Sequence, residues 1–243
     1  MNKEILVIIP ARGGSKGLPH KNILFLEGKP LIGRTIEKAL SLAKLSRVIV
    51  STEDKQIAEI SKKFGAEVPF MRPQELAKDS SLIYDVVLDL LRTLKKTENY
   101  YPDIVVLLQA VSPFVKTEQI NSAINKLIKE EVDVVYSVCE SDYPPFWIQT
   151  LENEKPGMLF KNVNIKKRQD AQKTYRPTGA FYVVKTKTLL DRKDNLPMFV
   201  PKKDEETRVI ITDELTATDI DTELDFLWAK FLSQNLIKWQ KYT

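Results

Sequence analysis

Short, continuously apolar runs recur along the chain from its beginning. The first, at 5–9, reads ILVII and contains no polar residue. A run of this kind is typical of a strand that is covered on both faces, as in a parallel sheet. Comparable runs, which predict further strands, lie at 47–52, 67–70, 103–109, 133–138, 179–184 and 208–213.

Between these runs, apolar residues return at helical spacing. In the first such segment Leu31, Ile32 and Ile36 fall on one face. The predicted helices are 31–43, 54–65, 81–94, 117–129 and 221–232. Strands that alternate with helices predict an α/β fold with a doubly wound, mostly parallel sheet and right-handed crossovers.

The alternation stops at 141–175. This segment is rich in proline and aromatic residues and ends in the basic run 166–168. We therefore expect a small inserted subdomain here. The remaining residues, 1–140 and 176–243, then form the main α/β domain.

Composition narrows the class of protein. Hydrophobic residues make up 43% of the 243 residues and charged residues 29%, which supports a packed core. The net charge is +4, and the basic residues are spread along the chain, which fits an anionic small substrate better than a nucleic acid. No stretch approaches the ~20 apolar residues of a membrane span, and the first apolar run ends at Pro10 without forming a signal peptide.

The chain has one cysteine, Cys139, so no intrachain disulfide can form. It lies in an apolar stretch, and we expect it to be a buried hydrophobic residue rather than a nucleophile. Together these features predict a cytoplasmic protein.

The first candidate site follows the first strand. Residues 7–22 read VIIPARGGSKGLPHKN, a glycine-bearing loop with Arg12, Lys16 and Lys21. Ligands of open α/β sheets bind beyond the carboxyl ends of strands, where backbone N–H groups and cations can hold phosphate. The loop is neither a Walker loop nor a G-x-G-x-x-G loop. Its composition leaves two readings open, a polyphosphate site and a solvated turn.

A second candidate lies at 218–226, TDIDTELDF. In an extended segment Asp219 and Asp221 point to the same face and could hold Mg²⁺ that also bridges to phosphates. The alternative is a helix start capped by Asp221 or Thr222.

A third candidate is the predicted strand end in LLQAVSPF, 107–114. The amide of Gln109 could read a base or a sugar hydroxyl there.

These motifs occur together in one order along about residues 5–230: IPARGGSKGLPHKN, the stretch 49–81, LLQAVSPF, YRPTGAFYV and DIDTELDF. The set resembles the CMP-acylneuraminate synthetases (acylneuraminate cytidylyltransferases), including CMP-legionaminate-type synthetases. The resemblance implies a Rossmann-like nucleotidyltransferase fold. It also implies a reaction in which the anomeric hydroxyl of a nine-carbon α-keto acid sugar attacks the α-phosphate of CTP and releases pyrophosphate.

The resemblance also implies roles for residues. Those expected at the nucleotide are Ala11, Arg12, Gly13, Lys16, Lys21, Asn22, Arg72, Ser80 and Ser81. Those expected at the sugar are Gln109, Arg168, Arg176 and Thr178. Asp219 and Asp221 would carry Mg²⁺, and Arg12, Lys21 and Asp221 would act in catalysis.

The segment 141–175 corresponds to the dimer contact of that family, where one subunit lends basic residues to the sugar site of its neighbour. A homodimer is therefore expected, with CTP and an acidic sugar as ligands and with no nucleic-acid or membrane partner. His20 is the only histidine. We expect it near the surface, and we expect a metal-linked water or Asp221 to take the proton of the sugar hydroxyl.

The chain departs from the family pattern near the expected sugar pocket. Thr178 replaces a frequent Asn, 110–111 replaces Pro-Thr and 114–115 replaces Leu-Arg. Apolar residues near Gln109 favour a 9-deoxy, diacylamino sugar such as legionaminate over neuraminate. The alternatives are a related enzyme for pseudaminate, for the eight-carbon keto sugar Kdo or for a sugar 1-phosphate, and a non-catalytic nucleotide-binding protein.

Overall fold

The computed structural model describes residues 3–160, 164–192 and 197–239. Its strands are β1 (Ile5–Pro10), β2 (Phe25–Leu26), β3 (Lys29–Pro30), β4 (Arg47–Ser51), β5 (Ile104–Leu108), β6 (Val134–Glu140), β7 (Gln149–Glu152), β8 (Lys155–Met158), β9 (Tyr175–Lys185) and β10 (Thr207–Thr212). Its helices are α1 (Leu31–Leu40), α2 (Lys55–Lys63), α3 (Ile83–Glu98), α4 (Thr117–Lys129), α5 (Thr186–Asp191) and α6 (Glu223–Trp239).

A six-stranded sheet with the order β10-β6-β9-β5-β1-β4 forms the centre of the molecule. The neighbours β1 and β4, β1 and β5, and β10 and β6 pair in parallel, whereas β9 runs antiparallel to both β5 and β6. The predicted doubly wound, mostly parallel α/β fold is confirmed. The antiparallel direction of β9 was not foreseen.

Alternate residues of β1 enter two different cores. Val7 and Ile9 pack with residues of α1, α2 and α4, while Leu6 and Ile8 pack with residues of α3 and α5. Helices therefore cover both faces of the sheet, and this is why the strand reads as an unbroken apolar run. A third cluster joins α6 to the turn after β5 and includes Ile220.

The strand predicted at 67–70 is wrong. Glu67 alone makes an isolated parallel bridge, to Ile49, with backbone hydrogen bonds to β4 at 2.8 and 2.9 Å. Pro69 has no backbone N–H, so the segment cannot continue the ladder beyond this bridge.

Residues 149–158 form a hairpin of β7 and β8 that is separate from the central sheet. Apolar side chains on and beside it are exposed, including Leu151, Met158 and Phe160. The hairpin lies within the predicted insertion 141–175, whose role as a separate subdomain stays a prediction. Within the described ranges, no helix has the length and apolar content needed to cross a membrane.

The direction of β9 decides where its first residues lie. Tyr175 is paired with Glu140 and Arg176 with Cys139, at the carboxyl end of β6. The start of β9 therefore meets the carboxyl ends of the parallel strands at one edge of the sheet. This edge is where ligands of open α/β sheets bind.

A bulge shapes β9 near this edge. The register with β6 shifts between Tyr136 and Val138, so that 178–181 lie opposite Ser137. The Ser137 hydroxyl sits inside the bulge, 2.5 Å from Oγ1 of Thr178, and it accepts from the backbone N–H of Phe181 at 3.4 Å. Gly179 has φ +75°, a conformation that an L side chain adopts only with strain.

We predict that Gly179→Ala lowers the free energy of unfolding by about 1–2 kcal/mol, the cost of a left-handed conformation for an L residue. An added Cβ would meet no atom within 4 Å, so backbone strain alone is responsible. Urea unfolding measures the change. Gly179→Asn, which tolerates this conformation better, should recover part of the loss, and equal losses in the two variants would contradict the explanation.

Candidate active site

The loop after β1 and the segment 219–221 meet at the carboxyl edge of the sheet. Nζ of Lys21 forms an ion pair with Oδ1 of Asp221. Gly17 lies so close to the same residue that a Cβ there would be 2.5 Å from the Asp221 carbonyl oxygen. Two motifs from opposite ends of the sequence thus form one surface.

The turn after β5 holds the acidic segment in place. The backbone N–H of Ile220 donates to the Val111 carbonyl at 3.0 Å, and the hydroxyl of the buried Ser112 donates to Oδ1 of Asp219 at 3.3 Å. These bonds set the position of both carboxylates relative to the sheet.

Asp219 lies in a less solvated environment than Asp221. Burial and the nearby Asp221 charge raise the pKa of Asp219, while Lys21 and the Ser112 hydroxyl act in the opposite direction. Two acidic side chains with one cation between them form a negative site that another cation would stabilise.

A divalent metal could use this pair. Among the described residues, no group of three or more His, Cys, Asp or Glu side chains is arranged to hold a metal ion. Mg²⁺, however, usually binds proteins through one or two carboxylates and completes its shell with waters and substrate phosphates. The raised pKa of Asp219 beside Asp221 fits such a site, because a bound cation would relieve their repulsion.

The cations of the opening loop are held by a carboxylate from another segment. Nη1 of Arg12 lies 2.7 Å from Oδ1 of Asp79, and Nζ of Lys16 lies 2.6 Å from Oδ2. The hydrogen bond from Lys16 and that from Arg12 hold the pKa of Asp79 below its usual range.

Two buried charged side chains, Glu53 and Arg72, lie next to the opening loop. The Gly13 backbone N–H donates to Oε1 of Glu53 at 2.7 Å, so this N–H is not free for a phosphate. Oε2 of Glu53 lies 4.0 Å from Nη1 of Arg72, and both side chains are buried. Nε of Arg72 donates to the Ser51 hydroxyl at 3.1 Å. Burial lowers the pKa of Arg72, and Glu53 partly offsets this.

A cleft of about 240 Å³ opens beside the opening loop, and its lining residues include Asp79 but neither Asp219 nor Asp221. Its lining contains several of the expected nucleotide and sugar residues: Arg12, Lys21, Asn22, Arg72, Ser81 and Gln109. Ala11, Gly13, Lys16 and Ser80 are not in this lining. The amide of the buried Asn22 donates to the Arg12 carbonyl at 2.9 Å and so fixes the loop.

The other expected sugar residues lie apart from this cleft. Thr178 is buried, with its hydroxyl against Ser137 inside the bulge. Arg176 pairs with Oε2 of Glu214 at 3.1 Å. Arg168 lies 3.8 Å from Asp142 and lines a separate hollow of about 370 Å³. Within one chain, the structure does not bring Arg168 and Arg176 to the nucleotide cleft, and their roles stay predictions.

The single histidine and the single cysteine of the chain, His20 and Cys139, lie where we expected them. His20 is exposed, at φ 53° in the opening loop. Cys139 is buried and donates to Oε1 of Glu214 at 3.1 Å. Burial, together with this bond, raises the pKa of the thiol to about 12, so it is protonated and unreactive at neutral pH.

Sequence reasoning missed several polar residues of the site: Glu53, Asp79, Ser112 and Glu214. A fifth, Lys38 of α1, donates to the Pro113 carbonyl and so anchors the turn after β5. Burial and the neighbouring Arg34 lower the pKa of Lys38 to about 8. Three of these residues had a signal in the sequence, because Ser112 lies in the LLQAVSPF motif, Glu53 lies in the stretch 49–81, and Asp79 precedes the expected Ser80 and Ser81.

We predict that Asp219→Asn raises the Tm of the metal-free protein by about 2–4 °C, the effect of roughly 1 kcal/mol in a chain of this length. The folded state raises the pKa of Asp219 above 3.8. The contribution of Asp219 to stability therefore falls as pH rises from 3.8 through the raised pKa, and it is unfavourable at pH 7. Thermal unfolding in EDTA measures it.

Asp213→Asn is the matched control. Although burial acts to raise its pKa, hydrogen bonds from Thr216 and the Lys116 charge hold the pKa of Asp213 low. Its stabilising contribution is therefore present at pH 7, and its removal should lower Tm. A lower Tm in Asp219→Asn as well would contradict the prediction.

Comparison with known proteins identifies the family of the chain. The family model described as Cytidylyltransferase matches residues 6–230. The CMP-N,N'-diacetyllegionaminic acid synthase of Legionella pneumophila is 35% identical over 93% of this chain and 94% of its own length. A pseudaminic acid cytidylyltransferase of Campylobacter jejuni is 33% identical over 93% of this chain and 95% of its own length.

A solved structure of CMP:2-keto-3-deoxy-manno-octonic acid synthetase complexed with CTP has the same fold. It superposes with a TM-score of 0.71 over 96% of this chain and 99% of that one, at 19% identity. The resemblance drawn from the motifs and the expected Rossmann-like nucleotidyltransferase fold are both confirmed, and the chain belongs to the cytidylyltransferase family.

Proposed function

We propose that this protein activates a nine-carbon α-keto acid sugar, N-acylneuraminate or a legionaminate-like relative, with CTP to give the CMP-sugar and pyrophosphate. Its family membership makes it a CTP-dependent nucleotidyltransferase. The observation that carries the proposal is the ion pair between Lys21 of the opening loop and Asp221, whose neighbour Asp219 also feels the Lys21 charge. Lys21 lines one cleft together with Arg12.

The reaction forms one bond and breaks one. The anomeric hydroxyl oxygen attacks the α-phosphorus of CTP, the bond from this phosphorus to the bridging oxygen breaks, and pyrophosphate leaves with the electron pair. Negative charge develops on the leaving group, and fixed cations stabilise it. Arg12, Lys16 and Lys21 are the residues we assign to this task. Since no covalent enzyme intermediate is needed, positioning and charge dominate catalysis.

Asp219 and Asp221 are the residues that would hold Mg²⁺. When bound, a divalent ion supplies charge neutralisation for the phosphates. Asp221 has a second role in the proposal: its exposed carboxylate accepts the proton of the attacking hydroxyl. Lys21, which lines the cleft, holds this carboxylate through their ion pair.

The remaining residues of the cleft suit the nucleoside. Arg72 is a buried cation fixed by Ser51 and Glu53, so it can present its guanidinium without losing conformational entropy. Ser81 and Gln109 line the same cleft and offer neutral polar groups for the base, ribose or sugar. Ser80 is exposed beside them.

We propose a homodimer in which the exposed apolar side chains of the β7–β8 hairpin meet a second copy. Arg168, on a separate hollow in one chain, would then reach the sugar site of the neighbour, and Arg176 would bind the sugar carboxylate.

Pseudaminate is the second candidate substrate, since the relatives include a pseudaminic acid cytidylyltransferase at similar identity.

The decisive assay is pyrophosphate release with CTP and Mg²⁺, run in parallel with N-acetylneuraminate, diacetyl-legionaminate, diacetyl-pseudaminate and Kdo. We expect release with a nine-carbon acid, and a fall of about 100-fold or more in Asp221→Asn, which lacks both the proposed base and one of the two carboxylates that would hold Mg²⁺. Glu223→Gln, the loss of an exposed carboxylate two residues away, should leave the rate within about twofold.

No release with any of the four sugars would contradict the proposed reaction, and near-normal turnover of Asp221→Asn would remove Asp221 as the base. Release with Kdo alone would replace the nine-carbon substrate class with the eight-carbon one.

We further predict that Gly17→Ala lowers turnover by about 10- to 100-fold, because a misplacement of about 1 Å at the reacting groups has effects of this size. Its Cβ would lie 2.5 Å from the Asp221 carbonyl and would push the loop and the acidic segment apart. Gly14→Ala is the control, since a Cβ there meets no atom within 4 Å. Equal rates in both variants would contradict the prediction.

A further inference from the structure

A carboxylate from another segment, that of Asp79, binds two cations of the opening loop. Asp79 belongs to the turn between the 3₁₀ helix at Gln74–Ala77 and α3, far in sequence from the loop. Its two oxygens are divided between two cations, one on Arg12 at 2.7 Å and the other on Lys16 at 2.6 Å. A carboxylate that binds two cations in this way makes the same contacts as two oxygens of a phosphate group.

Asp79 also lies where a ligand would be. It lines the cleft of about 240 Å³ together with Arg12, Lys21 and Arg72. Asp79 binds Nη1 of Arg12 and Nζ of Lys16. A polyphosphate that binds these same two nitrogens therefore competes with the Asp79 carboxylate for them.

We propose that Asp79 is an internal competitor for the polyphosphate. In the free protein its carboxylate holds Arg12 and Lys16. It leaves them when CTP binds, and it returns to them as pyrophosphate departs, which promotes product release. The inference rests on the proposed function and assigns to the same site a residue that acts on release rather than on the chemical step.

The exposure of the groups makes the exchange feasible. The side chain of Asp79 is 41% exposed and that of Lys16 is 84% exposed. Ion pairs in such surroundings are weak, so the segment can leave without unfolding its neighbours. Pyrophosphate carries several charges and can bind a guanidinium in a bidentate manner, so it outcompetes a single carboxylate. Asp79 therefore weakens binding without preventing it.

The test compares the wild-type protein, Asp79→Asn and Glu59→Gln by titration calorimetry with CTP, pyrophosphate and CMP, in Mg²⁺ and without sugar. Asp79→Asn keeps the size of the side chain and removes its charge. It should bind CTP and pyrophosphate about 3- to 10-fold more tightly, the effect expected from breaking two exposed ion pairs. Binding of CMP, which lacks the two phosphates that leave, should change less than about twofold.

Glu59 is an exposed carboxylate on α2, so Glu59→Gln controls for the loss of one negative charge elsewhere on the surface. It should bind all three ligands within about twofold of the wild type. In turnover assays, Asp79→Asn should also be inhibited by pyrophosphate at about 3- to 10-fold lower concentration. A cooperative thermal unfolding transition would show that the variant folds.

Unchanged or weaker binding of CTP and pyrophosphate by Asp79→Asn would overturn the inference. An equal gain for CMP would also overturn it, because the effect would then be a general change in charge. Tight binding of CTP without turnover on any sugar would reject the proposed reaction and leave the role of Asp79 supported. If no protein bound CTP or pyrophosphate, both proposals would fall.

Discussion

β1 is buried on both faces, and this burial governs where the helices and the candidate site lie. Its side chains enter two cores, and helices must therefore cover both sides of the sheet. A parallel strand with both faces covered has only its ends available for polar chemistry. The loop at Pro10 to Lys21 begins at the carboxyl end of this strand, so its cations are held at a rigid edge.

Charge at this edge is balanced before any ligand arrives. Three carboxylates from three separate segments, Glu53, Asp79 and Asp221, bind groups of the one opening loop. The contacts differ in exposure. Glu53 is buried and fixes the backbone, whereas Asp79 is partly exposed. Contacts with carboxylates therefore fix the backbone of the loop at Glu53 and leave exchangeable ion pairs at Asp79. This combination suits a site that must bind and then release a highly charged product.

The turn after β5 links the two halves of the site. The Val111 carbonyl accepts from Ile220 and the Ser112 hydroxyl donates to Asp219, while Lys38 donates to the Pro113 carbonyl of the same turn. The pKa of Asp219 is raised because burial and Asp221 oppose its charge, which makes this carboxylate ready for a cation. The packing that stabilises the segment thus also fixes the two carboxylates that we propose for the metal, in the sense of preorganised electrostatics.

The six strands of the central sheet and the motifs near the candidate site can be read from the order of residues alone. Strands buried on both faces appear as continuous apolar runs, and the motifs are short stretches of neighbouring residues. The antiparallel direction of β9, the absence of a strand around Pro69 and the pairing of Asp79 with the loop emerge only in the folded chain. These depend on contacts between distant segments, for which a single sequence carries no local signal.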